Sequence, residues 1–412
     1  MTTRSLCISS MPHFCSKDLT MNGCSRSPQL VAALAVAAMH TGALAVNGAL
    51  PGGNGIKNAA MGGASIALPL DAVAAANNPA GIAFVPASTT FGLQVFRGQS
   101  SANYVLPGNR LRNSQTELAP EGGINWHLDS TVSFGISISG AGAGSDYGQA
   151  ALPVPGAGMA KTTLRIAEII PTVAWKPSPD LALGVGLTLA RQQFEADGVI
   201  VPAPVPGGLL PLSGHGRQTA TGVGLRAGLL WKPAADWSLG VNLKSRARMG
   251  RLDGYDRDLL AYSGGRLDVP AQYGVGLAWQ ASGRLTLAAD VLRILWGDIK
   301  AMQDPNGFAW PNQPVLRFGA AWQLDDRWTL RAGYSRNRSQ IDSSRAVQNL
   351  LVPSIHKEAY TAGLSWRVNP HSELNLGYEL NPRTTLTGTG ASTGTSLTSK
   401  VQMFLLGYHH TF

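Results

Sequence analysis

The chain has 412 residues, a formal net charge of +9, only 14% charged residues, 49 glycines and a mean hydropathy near zero. That balance excludes a water-soluble globule with a charged surface. No stretch after residue 50 approaches the roughly 20 unbroken apolar residues of a spanning helix, so a helical membrane protein is excluded too.

The N-terminus reads as a leader. The apolar run Leu30 to Met39 follows Arg26 and precedes Ala43-Leu44-Ala45, which is a positive n-region, a short apolar core and an A-x-A site. A secretory signal peptide is expected over residues 1–45, with cleavage after Ala45, and a start at Met21 would give it an ordinary length. Cys24 lacks the preceding apolar run of a lipoprotein site. Cys7, Cys15 and Cys24 all precede the cleavage point, so the mature chain is expected to hold no disulfide and no cysteine metal site. Loss of Arg4, Lys17, Arg26 and Asp18 lowers the net charge from +9 to +7. The remaining cations are scattered rather than clustered, which argues against nucleic acid as a partner. They fit a lumen and loops, or the headgroups of anionic lipid.

Residues 46–86 are rich in Gly, Ala and Asn and show no period-2 pattern. Small residues let backbone approach backbone, which suits a plug packed inside a barrel. The alternative is a periplasmic tail, but Met61, Ile66, Leu68, Leu70 and Ile82 are more apolar than a solvated linker would be.

From about residue 88 the text becomes alternating. Val132, Phe134, Ile136 and Ile138 interleave with Ser133, Gly135 and Ser137, and Leu181 to Leu189 interleave with Ala182, Gly184, Gly186 and Thr188. Such strands turn their apolar set to lipid and their small set inward. Six tryptophans, Trp126, Trp175, Trp231, Trp279, Trp322 and Trp366, each close one alternating segment before a short turn rich in Pro, Asp, Ser, Gly or Asn. Their spacings of 49, 56, 48, 43 and 44 residues leave room for two strands and one long connection each. Short turns alternating with long loops, with aromatics at the rim, describe a closed outer-membrane barrel. Six such turns join twelve strands, and one more strand before them and one after predict an all-β fold: a 14-stranded antiparallel transmembrane β-barrel over residues 87–412, with an N-terminal hatch at 46–86. The last strand carries Phe404, Leu406, Tyr408, His410 and Phe412 on one face.

The segment NGIKNAAMGGASIALPLDAVAAANNPAGI, with its Asn77-Asn78-Pro79-Ala80-Gly81 element, resembles the hatch of the long-chain fatty-acid outer-membrane transporter family (FadL-like), which includes carriers of aromatic hydrocarbons. The inferred strand number and the terminal Phe412 agree with it. The resemblance implies passive uptake of a hydrophobic molecule: capture at outer loops, a pocket closed by the hatch, and lateral release through the wall at the third strand. The aromatic last strand resembles the signal read by the barrel assembly machinery, which implies that machinery as biogenesis partner unless it is only an ordinary amphipathic strand; an outer-membrane location and a monomer are expected.

Candidate residues follow. The third outer loop, 196–215, is unexpectedly apolar, and Val199, Ile200, Val201, Val205, Leu209, Leu210 and Leu212 are candidates for ligand capture or for packing against neighbouring loops. Alternation points Glu168, Arg226, Lys244, Asp290, Arg317, Arg331 and Glu379 inward. Arg226, Lys244, Arg317 and Arg331 are head-group candidates, unless these charges pair among themselves. Leu292, Met403 and Leu405 are expected inward as pocket lining. Gly135 and Gly140, with Gly142 and Gly144, mark weak pairing and a lateral exit, or only the start of a flexible loop.

No G-x-S-x-G, P-loop or dinucleotide fingerprint is present, and His215, His356, His371, His409 and His410 show no metal-ligand spacing. No catalytic residue, metal or cofactor is expected. Two rival readings remain: a general diffusion porin, which would need a wet pore without a plug, and an outer-membrane lipid hydrolase, which would need a Ser/His pair on adjacent strand faces.

Overall fold

The computed structural model describes residues 48–202 and 209–412; the expected leader, its cleavage point after Ala45 and the loop residue Val205 lie outside the described residues. Fourteen strands form the wall. They are β1 (Ser88–Asn103), β2 (Arg110–His127), β3 (Val132–Ala150), β4 (Met159–Ser178), β5 (Leu181–Asp197), β6 (Gln218–Ala234), β7 (Trp237–Lys244), β8 (Gln272–Ser282), β9 (Leu285–Ile294), β10 (Gln313–Gln323), β11 (Trp328–Asn337), β12 (Glu358–Asn369), β13 (Ser372–Thr387) and β14 (Ser396–Thr411). Each pairs antiparallel with the next, and β1 closes on β14 from Ser88↔Thr411 to Asn103↔Ser396. Closure removes the unpaired edges that lipid would not tolerate. Arg248–Met249 continues the line of β7 past a break and pairs with β6.

Alternation sets the two faces. On β5, Leu183, Val185, Leu187 and Leu189 are exposed on the outside, whereas Ala182, Thr188 and Ala190 are buried inside. Each expected tryptophan turn is present. Asp129 Oδ1 accepts from the backbone of Thr131 and Val132, and Asp325 Oδ1 accepts from Arg327 and Trp328, so a side chain fixes the reversal. At this rim Trp237 stacks on Trp279 (5.4 Å) and Trp328 on Trp366 (5.7 Å).

The segment before β1 lies inside the barrel, in the half nearer the short turns. From Gly48 to Val85 no residue is exposed. It fits because the inner wall offers glycines where it passes. A Cβ on Gly184 would strike the backbone of Pro79 and Ala80, one on Gly240 that of Ile66, and one on Gly333 that of Met61 and Gly62. Gly62, at φ +67°, turns the segment where a side chain would also strike the wall. Wall side chains complete its hydrogen bonds: Asp290 accepts from Ser65 and Ile66 N–H (2.8 and 3.1 Å), Glu121 from Gly55 N–H (3.0 Å), and Thr361 from Gly62 N–H (2.8 Å). Lys57 Nζ reaches Glu373 at 2.7 Å.

Candidate functional site

Above the plug, toward the long loops, the lumen holds an apolar cavity. Leu164 of β4, Phe194 of β5, Leu260 from the β7–β8 connection, Trp310 from the β9–β10 connection and Leu350 from the β11–β12 connection line it. No described charged side chain does. Its floor includes Ala49, and among its few polar atoms Gln348 Oε1 is buried without a hydrogen-bond partner. Loops are held over it by specific bonds: Tyr255 Oη accepts from Ala196 N–H (2.8 Å) and donates to Gly216 O (2.9 Å), and Trp310 Nε1 donates to Asn349 Oδ1 (2.7 Å). At the end of the β11–β12 connection, His356 faces Ser399 Oγ at 3.0 Å, and burial pulls its imidazole down to about 4.

Beneath lies a polar compartment. Glu168 of β4 accepts from Lys244 Nζ (2.8 Å) and from Arg226, and Arg226 in turn donates to the plug carbonyl of Ala76 and to Thr188 Oγ1 (3.0 Å). Arg317 donates to Gly63 O (3.2 Å), and Arg331 to Ser365. All seven charges expected to face inward do so, but the four head-group candidates meet wall or plug groups. Glu168 or a plug carbonyl occupies Arg226, Lys244 and Arg317, and the Ser365 hydroxyl receives Arg331. Asn78 shows why the Asn-Pro element matters locally. Its Oδ1 caps the 3-10 turn Pro79–Ala83 through Ala80 N–H (3.1 Å), while its Nδ2 donates to Ile66 O (2.7 Å) and Leu229 O (3.0 Å). Asn77 ties back to Asn54, and Ala80 and Gly81 are buried where larger residues would collide with the wall or Pro69.

The wall weakens between β2 and β3. The β2–β3 ladder runs from His127↔Ser133 only to Gly122↔Ile138, although both strands continue for many residues and stay paired on their other sides. Continuing that register would set Pro120 opposite Gly140. Proline has no N–H to donate, and glycine adds no side-chain packing. Beyond this point plug and side chains replace the rungs: Gly142 N–H donates to Ala49 O (2.8 Å), and Asp146 N–H to Asn113 Oδ1 (3.1 Å).

A sequence profile described as outer membrane protein transport protein (OMPP1/FadL/TodX) matches residues 31–405. The chain belongs to this family. It is therefore an outer-membrane transport protein for hydrophobic compounds, not an enzyme, which removes the lipid hydrolase reading. In structure this FadL/TodX family member is similar to the Pseudomonas putida toluene transporter TodX, with a TM-score of 0.69 and 19% identity over 88% of this chain and 99% of that one. It is also similar to a Pseudomonas aeruginosa FadL homologue (0.68, 18%, 89% and 100%) and to the Ralstonia pickettii toluene transporter TbuX (0.64, 17%, 88% and 99%). No curated protein sequence matches it.

Within this family member the expected site residues fall in different places. Val199 and Ile200 line the cavity, and Leu212 N–H donates to Val199 O (2.9 Å). Leu210 is exposed, and the backbone of Val201 and Leu209 belongs to a short ribbon in the same loop. Leu292 borders the polar compartment, while Met403 and Leu405 pack with Ile56 of the plug rather than in the cavity. Gly140 sits at the seam. Gly135 does not: it is paired with Asn125 and Thr172, and its missing Cβ leaves room for Ile82 of the plug. The cavity walls Leu164, Leu260, Trp310 and Leu350 gave no sequence signal, being isolated apolar residues in distant segments. Pro120, a proline inside a strand, was a readable one.

Proposed function

We propose that this protein carries uncharged hydrophobic small molecules passively across the outer membrane, with residues 46–86 as hatch and 87–412 as barrel. The observation that supports this reading is the apolar cavity, lined by no described charge, above cations already engaged by Glu168 and the hatch. A carboxylate stripped of water there would lack a counter-ion, which is costly. Hydrocarbons therefore fit better than long-chain fatty acids, although both are hydrophobic cargo. Capture begins at the outer loops, where Leu210 is exposed and Val199 and Ile200 of the same loop line the cavity. Release is lateral, at the β2–β3 seam, because an apolar molecule entering periplasmic water forfeits about 0.8 kcal/mol per methylene. The aromatic last strand ending in Phe412 supports insertion by the barrel assembly machinery, and the exposed apolar residues of the outer face support a monomer surrounded by outer-membrane lipid.

Two measurements test this. Purified protein should bind a hydrocarbon more tightly than the carboxylate of equal chain length; equal or reversed affinity would move the head group back to the lumen cations. For the route, an ideal Cβ on Gly140 lies 3.7 Å from Ala119 Cβ, within disulfide range. Oxidising the Ala119→Cys, Gly140→Cys double variant should stop uptake, and reduction should restore it. Full uptake in the oxidised form would redirect the path through the hatch.

A further inference from the structure

The wall contains an ion pair that an intact sheet would not permit. Arg165 of β4 lies opposite Gly142 of β3 and Gln193 of β5, on the alternation that carries Val173 and Trp175 to the lipid side. Glu117 of β2 lies opposite Phe96 of β1, which is buried on the inner face. Paired backbone keeps side chains on opposite faces of a sheet apart. Yet Arg165 Nη2 stands 3.6 Å from Glu117 Oε2. The contact passes through the wall beyond Gly122↔Ile138, where the rungs are missing, and it crosses β3 at Gly142, which has no side chain to obstruct it.

We infer that Glu117 and Arg165 form a latch across the seam, setting how wide it stands and so how broad a molecule leaves by it. The inference rests on the lateral release proposed above. Its geometry suits a tie that is made and broken. At 3.6 Å the pair exceeds hydrogen-bond range, the buried Nε of Arg165 has no partner, and both side chains are about a quarter exposed at 23% and 24%. Attraction of this kind shifts an equilibrium only a few-fold, enough to bias a door without locking it. Of the other contacts along the seam, Gly142 N–H to Ala49 and Asp146 N–H to Asn113 are backbone donations, and Gln149 Nε2 reaches Arg110 O (3.3 Å) only at the far ends of the two strands, so the outer face beside Gly142 is left open. Arg165 alone among these contacts covers that face.

The test uses the full-length protein in outer-membrane vesicles and separates latch from route. With Cys at positions 119 and 140, the rate of disulfide formation reports the approach of β2 to β3 without reference to transport. Adding Glu117→Gln, or Arg165→Gln, should slow that rate by about two- to fivefold, the range open to a partly exposed pair. In the protein without added cysteines, either variant should raise uptake of a broad polycyclic hydrocarbon more than that of a slim alkane. The exchange Glu117→Arg with Arg165→Glu should restore both readouts. An unchanged disulfide rate in both single variants overturns the latch. A slower rate with unchanged uptake supports the latch and sinks the lateral route instead.

Discussion

The two halves of this lumen use opposite chemistry for opposite purposes. Near the short turns, glycines, buried charges and backbone hydrogen bonds hold the hatch against the wall. Toward the long loops, apolar side chains from five separated segments enclose a space with almost no polar demand. The lower half commits most of its charged groups to wall and hatch, with Glu121 Oε1, Arg317 Nε and Arg331 Nε left buried without a hydrogen bond. The contrast teaches that a charge in a transport lumen is not by itself a cargo site; what matters is whether something fixed already answers it.

The sharpest way to break this contrast is Glu168→Gln. It leaves Arg226 and Lys244 buried without their carboxylate, an imbalance that costs about 3–5 kcal/mol. Thermal unfolding in detergent should show the loss, and an unshifted transition would mean that the triad does not hold the lower half. In the upper half Leu350→Ser removes buried apolar surface worth about 1.5–3 kcal/mol, so affinity for a hydrocarbon should fall about tenfold or more. Unaltered affinity by titration would place the cargo elsewhere.

Gly333→Val tests the glycine lining, since its Cβ would meet the hatch backbone at Met61 and Gly62. Overpacking of about 1–3 kcal/mol should unseat the hatch and raise single-channel conductance. Gly283→Val, in a turn where a Cβ meets nothing within 4 Å, should leave conductance as it is.

The smallest effect belongs to His356. Its folded value of about 4 lies below the ordinary 6.5, so the closed loop keeps it neutral and the opened loop takes up a proton below pH 6.5. Closure is therefore fully favoured above that pH and weakens as pH falls toward 4, by about 1 kcal/mol between pH 6 and pH 5. Amide exchange over residues 340–357 should quicken across that interval, and His356→Asn should flatten the dependence.

Much of the lower half was legible in the sequence. Tryptophan-to-turn phrases mark the strand ends, period-2 alternation puts Glu168, Arg226, Lys244, Asp290, Arg317 and Glu379 inside, and the small residues around Asn78-Pro79 announce close packing. These signals are local, or repeat at a fixed period. The cavity is neither: Leu164, Phe194, Leu260, Trp310 and Leu350 meet only because the barrel closes and the loops fold inward. The seam lay between these extremes. Glycines in β3 pointed to a strand that does lose its pairing, but Gly135 belongs to hatch packing, and the missing rungs begin where Pro120 of the neighbouring strand withholds a donor.

Ala49 belongs to both halves. Its side lines the cavity while its carbonyl receives the N–H of Gly142 on the free edge of β3. An occupant that presses Ala49 aside strips that bond from the seam. Thermodynamic reciprocity then requires that whatever loosens the seam bond changes the affinity of the cavity by the same factor. If cargo leaves by the seam as proposed, filling and opening would be two readings of one equilibrium, written through a single peptide group.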